Sequence, residues 1–206
     1  MDNNSVFIIM RNNSFLCRRA DSISPVVYKF HDIQNLPNVP FYFHLWDNFM
    51  KYKREFGRFF RNELIGNPMM AWLIKNHSYL AIPDDMLESE KRIAIEFLMQ
   101  CGSRKVDVMQ ECLLLAPQAD KYVAVSRTCR MMVLSYIEAG NIVNRSILEN
   151  KEYSAKMLKH YIHELLGCQE SAFVPVYLNG NDLQDYSELG LIVDPKTILN
   201  HYIDIM

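Results

Sequence analysis

The sequence predicts an α/β fold in which a mixed sheet with flanking helices occurs twice. Two observations carry this. A three-strand meander followed by a helix and a further strand occurs near the N-terminus and again after residue 121. Between the two, residues 78–109 read as strand, helix, strand, a unit that implies a parallel pair joined by a right-handed crossover. With 206 residues, half of them hydrophobic, the chain can bury a core as one domain or two small lobes. The expected lobes are 1–118, with an inserted helix at 42–65, and a smaller 119–206.

The first meander is "SVFIIM", "FLCRR" and "PVVYKF", separated by Arg11-Asn12-Asn13 and by the Asp21-to-Pro25 stretch, which have hairpin chemistry. The Pro-bearing "NLPNVP" leads to 42–65, where Phe49, Tyr52, Phe56, Phe59, Phe60 and Leu64 recur at helical spacing. A strand at 78–82 is closed by Pro83, and Asp84 or Asp85 is expected to cap a helix whose apolar face is Ile93, Ala94, Phe97 and Leu98. Gly102 stops that helix and "KVDVM" follows as a strand. The second meander is expected at 121–126, 131–137 and 141–147, with Gly140-Asn141 as its second turn. A helix over 150–166 ended by Gly167, the strand "FVPVYL", the turn Asn179-Gly180-Asn181, a short helix, the strand "LGLIV" and a helix from Pro195 complete the chain.

Composition excludes several classes. A net charge of −2 gives no global reason to expect nucleic acid as a partner. The five cysteines are scattered, odd in number and free of any C-x-x-C pair, which argues against a disulfide framework or structural zinc and fits a reducing compartment. No window approaches the roughly 18 apolar residues of a membrane span, and "MDNNSVFIIMRNN" lacks the pattern of a signal peptide. The expected setting is cytoplasmic, with any membrane association indirect or through a segment beyond Met206.

The connection between the first two strands of the second meander is Ser126-Arg127-Thr128-Cys129-Arg130, an unusual content for a hairpin, which ordinarily takes Gly, Asn or Asp. The doubled topology and the stretch "AIPDDMLESEKRIAIEFLMQCGSRKVDVMQECLLLAP", residues 81–117, resemble the actin-like (ribonuclease H-like) ATPase superfamily of actin, Hsp70 chaperones, sugar kinases and MreB. That family runs strand, Pro, helix and strand into a Glu-Pro-x-Ala-Ala helix. Here Glu111-Cys112-Leu113-Leu114-Leu115-Ala116 stands in that place without the proline. "YVAVSRTCRMMVLSYIEAGNIV" sits where the family has its Asp-x-Gly-Gly-Gly-Thr phosphate hairpin, and "VPVYLNGND" resembles the strand and glycine turn beside its adenosine pocket.

The departures decide the expected function. Family members hold ATP through two hairpins whose glycines bring backbone N–H groups to the phosphates, with an Asp holding the hydrated magnesium. Neither Met10-Arg11-Asn12-Asn13-Ser14 nor 126–130 supplies that Asp or those glycines. The nucleotide site reads as lost, with no catalytic residue, cofactor or metal. Within the superfamily the chain resembles the short assembly proteins of type IV pili and type II secretion, the PilM and GspL groups and BfpC of bundle-forming pili. This implies reduced outer subdomains and a scaffold at the cytoplasmic face of a bacterial inner membrane, linking pilus or secretion components to a motor ATPase. The alternative is an active MreB-like or kinase-like ATPase with atypical phosphate loops.

The expected partner-binding residues are Phe49, Arg54, Phe56, Phe59 and Phe60 on the aromatic-basic helix, and Arg127 and Arg130 on the altered hairpin, which is expected to line a cleft between the lobes. For the helix, a core-facing aromatic side with solvated charges is the simpler reading, some aromatics being reserved for another subunit. His160, His163 and Glu164 share a helix face, but zinc needs further ligands, so a solvated or capping role is favoured. The acids Asp84, Asp85, Glu88 and Glu90 read as helix-start charges, and Cys129 as a thiol without a neighbouring base. The twelve methionines read as core filler.

Overall fold

The computed structural model describes residues 5–11, 13–33, 38–40, 45, 47–65, 76–167, 173–180 and 182–206. Strands Ser5–Arg11 (β1), Ser14–Arg19 (β2) and Val26–Lys29 (β3) form the first meander, β1 pairing antiparallel with β2 and β2 with β3. Every residue of β1 from Ser5 to Met10 is buried, as a near-continuous apolar run requires of a strand covered on both faces. Helix Phe49–Phe59 (α1) continues as a π-turn over Phe60–Ile65. The expected start of this helix at residue 42 lies outside the described residues. Strand His77–Ile82 (β4) pairs parallel with β1. Helix Glu88–Cys101 (α2) and strand Lys105–Gln110 (β5) follow, and the sheet runs β3-β2-β1-β4-β5.

After a 3₁₀ turn at Glu111–Leu114 come Lys121–Arg127 (β6), Met131–Glu138 (β7) and Asn141–Glu149 (β8), an antiparallel meander. Helix Ala155–Leu166 (α3) leads to Val176–Gly180 (β9), parallel to β6. A 3₁₀ turn at Gln184–Tyr186, the two-residue strand Leu191–Ile192 (β10) and helix Pro195–Asp204 (α4) end the chain. The second sheet runs β10-β9-β6-β7-β8, which read backwards is the order of the first. The repeat expected from the sequence is thus a repeat of connectivity, meander first and parallel strand beside its opening strand.

The chain divides into two units, Met1–Met109 with Met206, and Gln110–Ile205, so the division falls before the 3₁₀ turn rather than after residue 118. Hydrogen bonds explain the difference. Gln110 Oε1 accepts from Arg145 Nη2 at 2.9 Å, the Cys112 carbonyl from the Tyr122 hydroxyl at 2.8 Å, and the Leu114 carbonyl lies 2.8 Å from His201 Nδ1. In the first unit α1 and α2 cover one sheet face. Val6, Ile8, Met10, Phe15, Leu80 and Ile82 meet Tyr52, Phe56, Phe60, Leu64, Ala94, Phe97 and Leu98 there. Burial in that core pushes the Cys17 thiol far up and the Cys101 thiol up to about 12, so neither is a nucleophile. In the second unit Val123, Val125, Met132, Leu134 and Leu178 pack against Leu158, Ile162 and Leu165 of α3. No helix among the described residues is long and apolar enough to cross a membrane.

Several element boundaries correct the expectation. Asp84 and Asp85 do not cap α2. They sit in a turn closed by the Met86 N–H on the Pro83 carbonyl at 3.2 Å. The helix starts after Leu87, whose N–H donates to Glu90 Oε2 at 2.7 Å. Helix α3 begins at Ala155, not 150, because Ser154 Oγ accepts from the Met157 N–H at 3.2 Å and fixes the start there. The β7–β8 turn is Ala139-Gly140, with φ of 48° and 73°, so Asn141 already belongs to β8. Its side chain steadies the turn by donating to the Ala139 carbonyl at 3.0 Å.

Asp194 caps α4. Its Oδ1 accepts from the N–H of Lys196 at 2.8 Å and of Thr197 at 3.2 Å, and its Oδ2 from the Thr197 hydroxyl at 2.7 Å. The hydroxyl bond first, and then the two amides, hold the carboxyl below the usual aspartate range against a smaller opposing effect of burial. Asp194→Ala is expected to cost about 1 kcal/mol at neutral pH. Because the folded-state value lies below the unfolded one, this contribution is complete above about pH 4 and is lost as the pH falls through the folded value. Urea unfolding of parent and variant at neutral pH and at about pH 3 checks it: the gap between them should narrow in acid.

Candidate functional site

The hairpin joining β6 and β7 shows what its unusual residues do. The ladder closes at Arg127 opposite Met132, and the Thr128 N–H donates to the Met131 carbonyl at 2.9 Å. The Thr128 hydroxyl oxygen then lies inside the turn, accepting from the N–H of Arg130 at 3.2 Å and of Met131 at 3.0 Å. A phosphate-binding turn works by leaving consecutive N–H groups directed at an empty concavity. Here a side-chain oxygen of the turn itself occupies that position.

Asn150, just after β8, fastens the same turn from outside. Its Nδ2 donates to the Cys129 carbonyl at 2.8 Å while its Oδ1 accepts from Arg127 Nε at 3.1 Å. Arg127 is therefore engaged within the hairpin, and both it and Arg130 are half-buried. Behind the turn, β9 ends at Gly180, whose φ of 134° and missing side chain let its backbone pass the Arg127 carbonyl; a Cβ there would stand 2.4 Å from that oxygen. At the first hairpin Arg11 pairs with Ser14, and the Asn13 carbonyl accepts from the Phe30 N–H at 2.9 Å. Asn12 lies outside the described residues, as does Asn181.

Beside the second hairpin a row of polar side chains is buried. Asn179 Nδ2 donates to Glu111 Oε2 at 2.7 Å, and Asn179 stands opposite Ser126 across the β6–β9 pairing. Glu111, Ser126 and Asn179 are all buried. The charge-assisted bond ties the 3₁₀ turn at 111–114 to the end of β9. Sequence reasoning used Glu111 only as a motif letter and Asn179 only as a turn residue. The available signal was a lone carboxylate opening an otherwise apolar run, which a buried chain accepts only with a partner.

The aromatic-basic helix needs a correction. Phe56 and Phe60 are fully buried, and Phe49 and Phe59 are partly buried against the same core, so Phe56 and Phe60 offer nothing to another subunit. Phe56 is ringed by Phe15 and Tyr28, each at a centroid distance of 5.1 Å, and by Phe97 at 5.7 Å. The sheet and α2 supply more aromatic surface than one helix suggested, enough to take Phe56 and Phe60 fully inside, while Phe49 and Phe59 keep part of their surface exposed. Arg54 is exposed. On α3, His160 Nε2 meets Glu164 Oε1 at 3.3 Å as an exposed pair one turn apart. His77 Nε2 on Asp107 Oδ2 at 2.7 Å, a pair between β4 and β5 that the sequence did not suggest, stacks on Tyr79 at 4.1 Å. Asp107 also accepts from Lys105 Nζ at 2.7 Å; that bond first, and His77 after it, holds its carboxyl below the usual range against burial. Cys129 is half-buried in the hairpin, and Cys168 lies outside the described residues.

No family model matches the sequence, and no curated protein matches it. Solved structures do. The ethanolamine utilization protein EutJ from Carboxydothermus hydrogenoformans superposes with a TM-score of 0.55 at 10% identity, covering 96% of this chain and 88% of that one. MreB5 of Spiroplasma citri bound to ADP gives 0.47 at 12% identity over 79% of this chain and 58% of that one. The same protein bound to AMPPNP gives 0.49 at 11% over 80% and 57%, so this chain spans less than two thirds of either MreB5 chain. At such identities the likeness is one of fold. Two five-stranded mixed sheets of matching strand order with flanking helices, in a chain of 206 residues, are an actin-like fold.

Proposed function

We propose that this domain is a non-catalytic actin-like scaffold that binds other proteins rather than turning over ATP. The observation supporting it is the self-closed β6–β7 hairpin. A triphosphate gains its hold from free backbone N–H groups and a metal held by an acid. In this turn Thr128 Oγ1 already takes the N–H groups of Arg130 and Met131, and residues 126–130 contain neither an Asp nor a Gly. Displacing the hydroxyl would trade two satisfied hydrogen bonds for new ones, leaving little net gain.

The setting we propose is the one the sequence resemblance implies, a type IV pilus or type II secretion assembly at the cytoplasmic face of a bacterial inner membrane. Within it the domain joins assembly components to each other and to the motor ATPase. The test of the first statement is direct. The purified protein is expected to show no thermal shift with sub-millimolar Mg-ATP and no phosphate release; a clear shift, or turnover, overturns it in favour of an ATPase with atypical loops. For the second, crosslinking in the native host is expected to trap inner-membrane pilus or secretion components, and a harvest of soluble metabolic enzymes alone would overturn it.

A further inference from the structure

The positive charges of α1 fall into two groups. Lys51 is paired with Asp32, and Lys53 Nζ donates to Gln100 Oε1 at 2.8 Å. Arg54, Arg58 and Arg61, in contrast, are all exposed, and none has a hydrogen-bond or ion-pair partner among the described residues. Arg54 and Arg58 are one turn apart on α1 and Arg61 follows in the π-turn, so the three exposed side chains run as a stripe over about 10 Å along the solvent side of the helix and its continuation. Exposed Met50 continues the stripe one turn earlier. Glu55 is on the flank of Lys51 and Tyr28, whose titration it influences, and not on the stripe. Gly57 keeps the ground under the stripe flat: a Cβ there would stand 3.3 Å from Arg61 Nη1 and 3.5 Å from the Cys101 carbonyl.

From this arrangement we infer that the Arg54-Arg58-Arg61 stripe is a docking surface for a carboxylate-rich α-helix of a partner protein. The inference deepens the scaffold reading by naming the chemistry of one partner contact. Two guanidinium forks one α-helical turn apart, with a third following in the π-turn, can meet carboxylates on successive turns of a facing helix, and each arginine–carboxylate pair can be bidentate. A lipid surface is the weaker fit. An interfacial helix sinks an apolar face into the bilayer, and the apolar face of α1, with Tyr52, Phe56 and Phe60, is buried in its own core.

The probe is a labelled alanine-rich helical peptide with glutamates at i, i+4 and i+7, followed by fluorescence anisotropy at low salt. Comparators are a peptide of equal composition with glutamates at i, i+2 and i+5, and vesicles containing phosphatidylserine. The parent protein is expected to bind the first peptide, the double variant R54E/R58E to lose at least tenfold, and R54K/R58K to lose part of the affinity because lysine lacks the fork. Circular dichroism should show all three proteins equally folded, since the side chains are exposed, and the lysine variant keeps the test alive if the reversal does not fold. Equal binding of both peptides, equal binding by R54E/R58E, preference for vesicles, or no peptide binding overturns the inference. Failure of the scaffold reading is read separately, from the Mg-ATP titration.

Discussion

Phe56→Ala is expected to remove about 3–5 kcal/mol of stability from the first unit. The ring is 0% exposed, and its neighbours come from every part of that core: Phe15 on β2, Tyr28 on β3, Phe97 on α2, and Phe60 at 5.9 Å on the π-turn. Deleting it leaves a hole walled by rigid rings that cannot collapse inward, so the cavity adds to the lost transfer energy. Two edge-to-face contacts, with Phe15 and Tyr28, go as well, each worth about 0.5–1.5 kcal/mol beyond area. Against a usual total of about 5–15 kcal/mol, the loss is a large share. At about 4 °C or more per kcal/mol for a unit of this size, the melting midpoint should fall by about 12 °C or more. Arg54→Ala, on the outer face of the same helix, should stay within about 0.5 kcal/mol. Thermal unfolding followed by near-ultraviolet circular dichroism measures both; a midpoint within about 3 °C of the parent for Phe56→Ala would contradict the core described above. The same numbers make Phe56 a poor probe of a partner surface, because its loss would act through folding.

The sequence made the strands legible because their cores are written as unbroken apolar runs. "SVFIIM" and "YVAV" have no other stable place than a sheet covered on both sides, and β1 and β6 are the central strands of their sheets. Their meander partners followed from turn residues, and the parallel strands from the crossover rule. Boundaries were less legible, for particular reasons. Asp84-Asp85 looked like a helix start, yet Glu90 reaches back to do that work from inside the helix. The turn at Ala139-Gly140 was misplaced by one residue because alanine carries no signal for a positive φ. The break between the units was set by long-range hydrogen bonds to Gln110, Cys112 and Leu114 from residues 145, 122 and 201, which no local pattern announces.

At the hairpin, composition alone showed what was missing, the acid and the glycines, but not what replaced them. That Thr128 would fold its hydroxyl over the turn and that Asn150 would brace it from 21 residues away are tertiary facts. On α1 the periodicity identified which residues share a face, yet could not say how many rings the opposing sheet would absorb. Phe15, Tyr28 and Phe30, read only as strand residues, supply the surface that takes Phe56 inward. The consequence for function is that Arg54, Arg58 and Arg61, and not Phe56 or Phe60, are what the helix presents to solvent.

Gly180→Ala is the substitution that tests whether the hairpin and β9 form one rigid piece. An added methyl would sit 2.4 Å from the Arg127 carbonyl oxygen and 3.1 Å from its carbon, both backbone atoms that cannot rotate away. The φ of 134° adds conformational strain of order 1–3 kcal/mol for a residue with a side chain. Gly140 is the comparison. It too has a positive φ, 73°, but a Cβ there meets nothing within 4 Å, so Gly140→Ala carries only a milder left-handed strain and no collision. Gly180→Ala should therefore destabilise the second unit by about 2 kcal/mol or more beyond Gly140→Ala, with a correspondingly lower melting midpoint. The strand can escape only by pulling away from Arg127, which moves the adjacent Asn179 off Glu111 and loosens a buried charge-assisted bond worth about 1.5–3 kcal/mol. Amide hydrogen exchange reads this out: protection of residues 111–114 should fall in Gly180→Ala and stay unchanged in Gly140→Ala. Equal midpoints and equal protection in the two variants would mean that β9 is free to shift against the hairpin, and a turn that loose could open its amides to a phosphate after all.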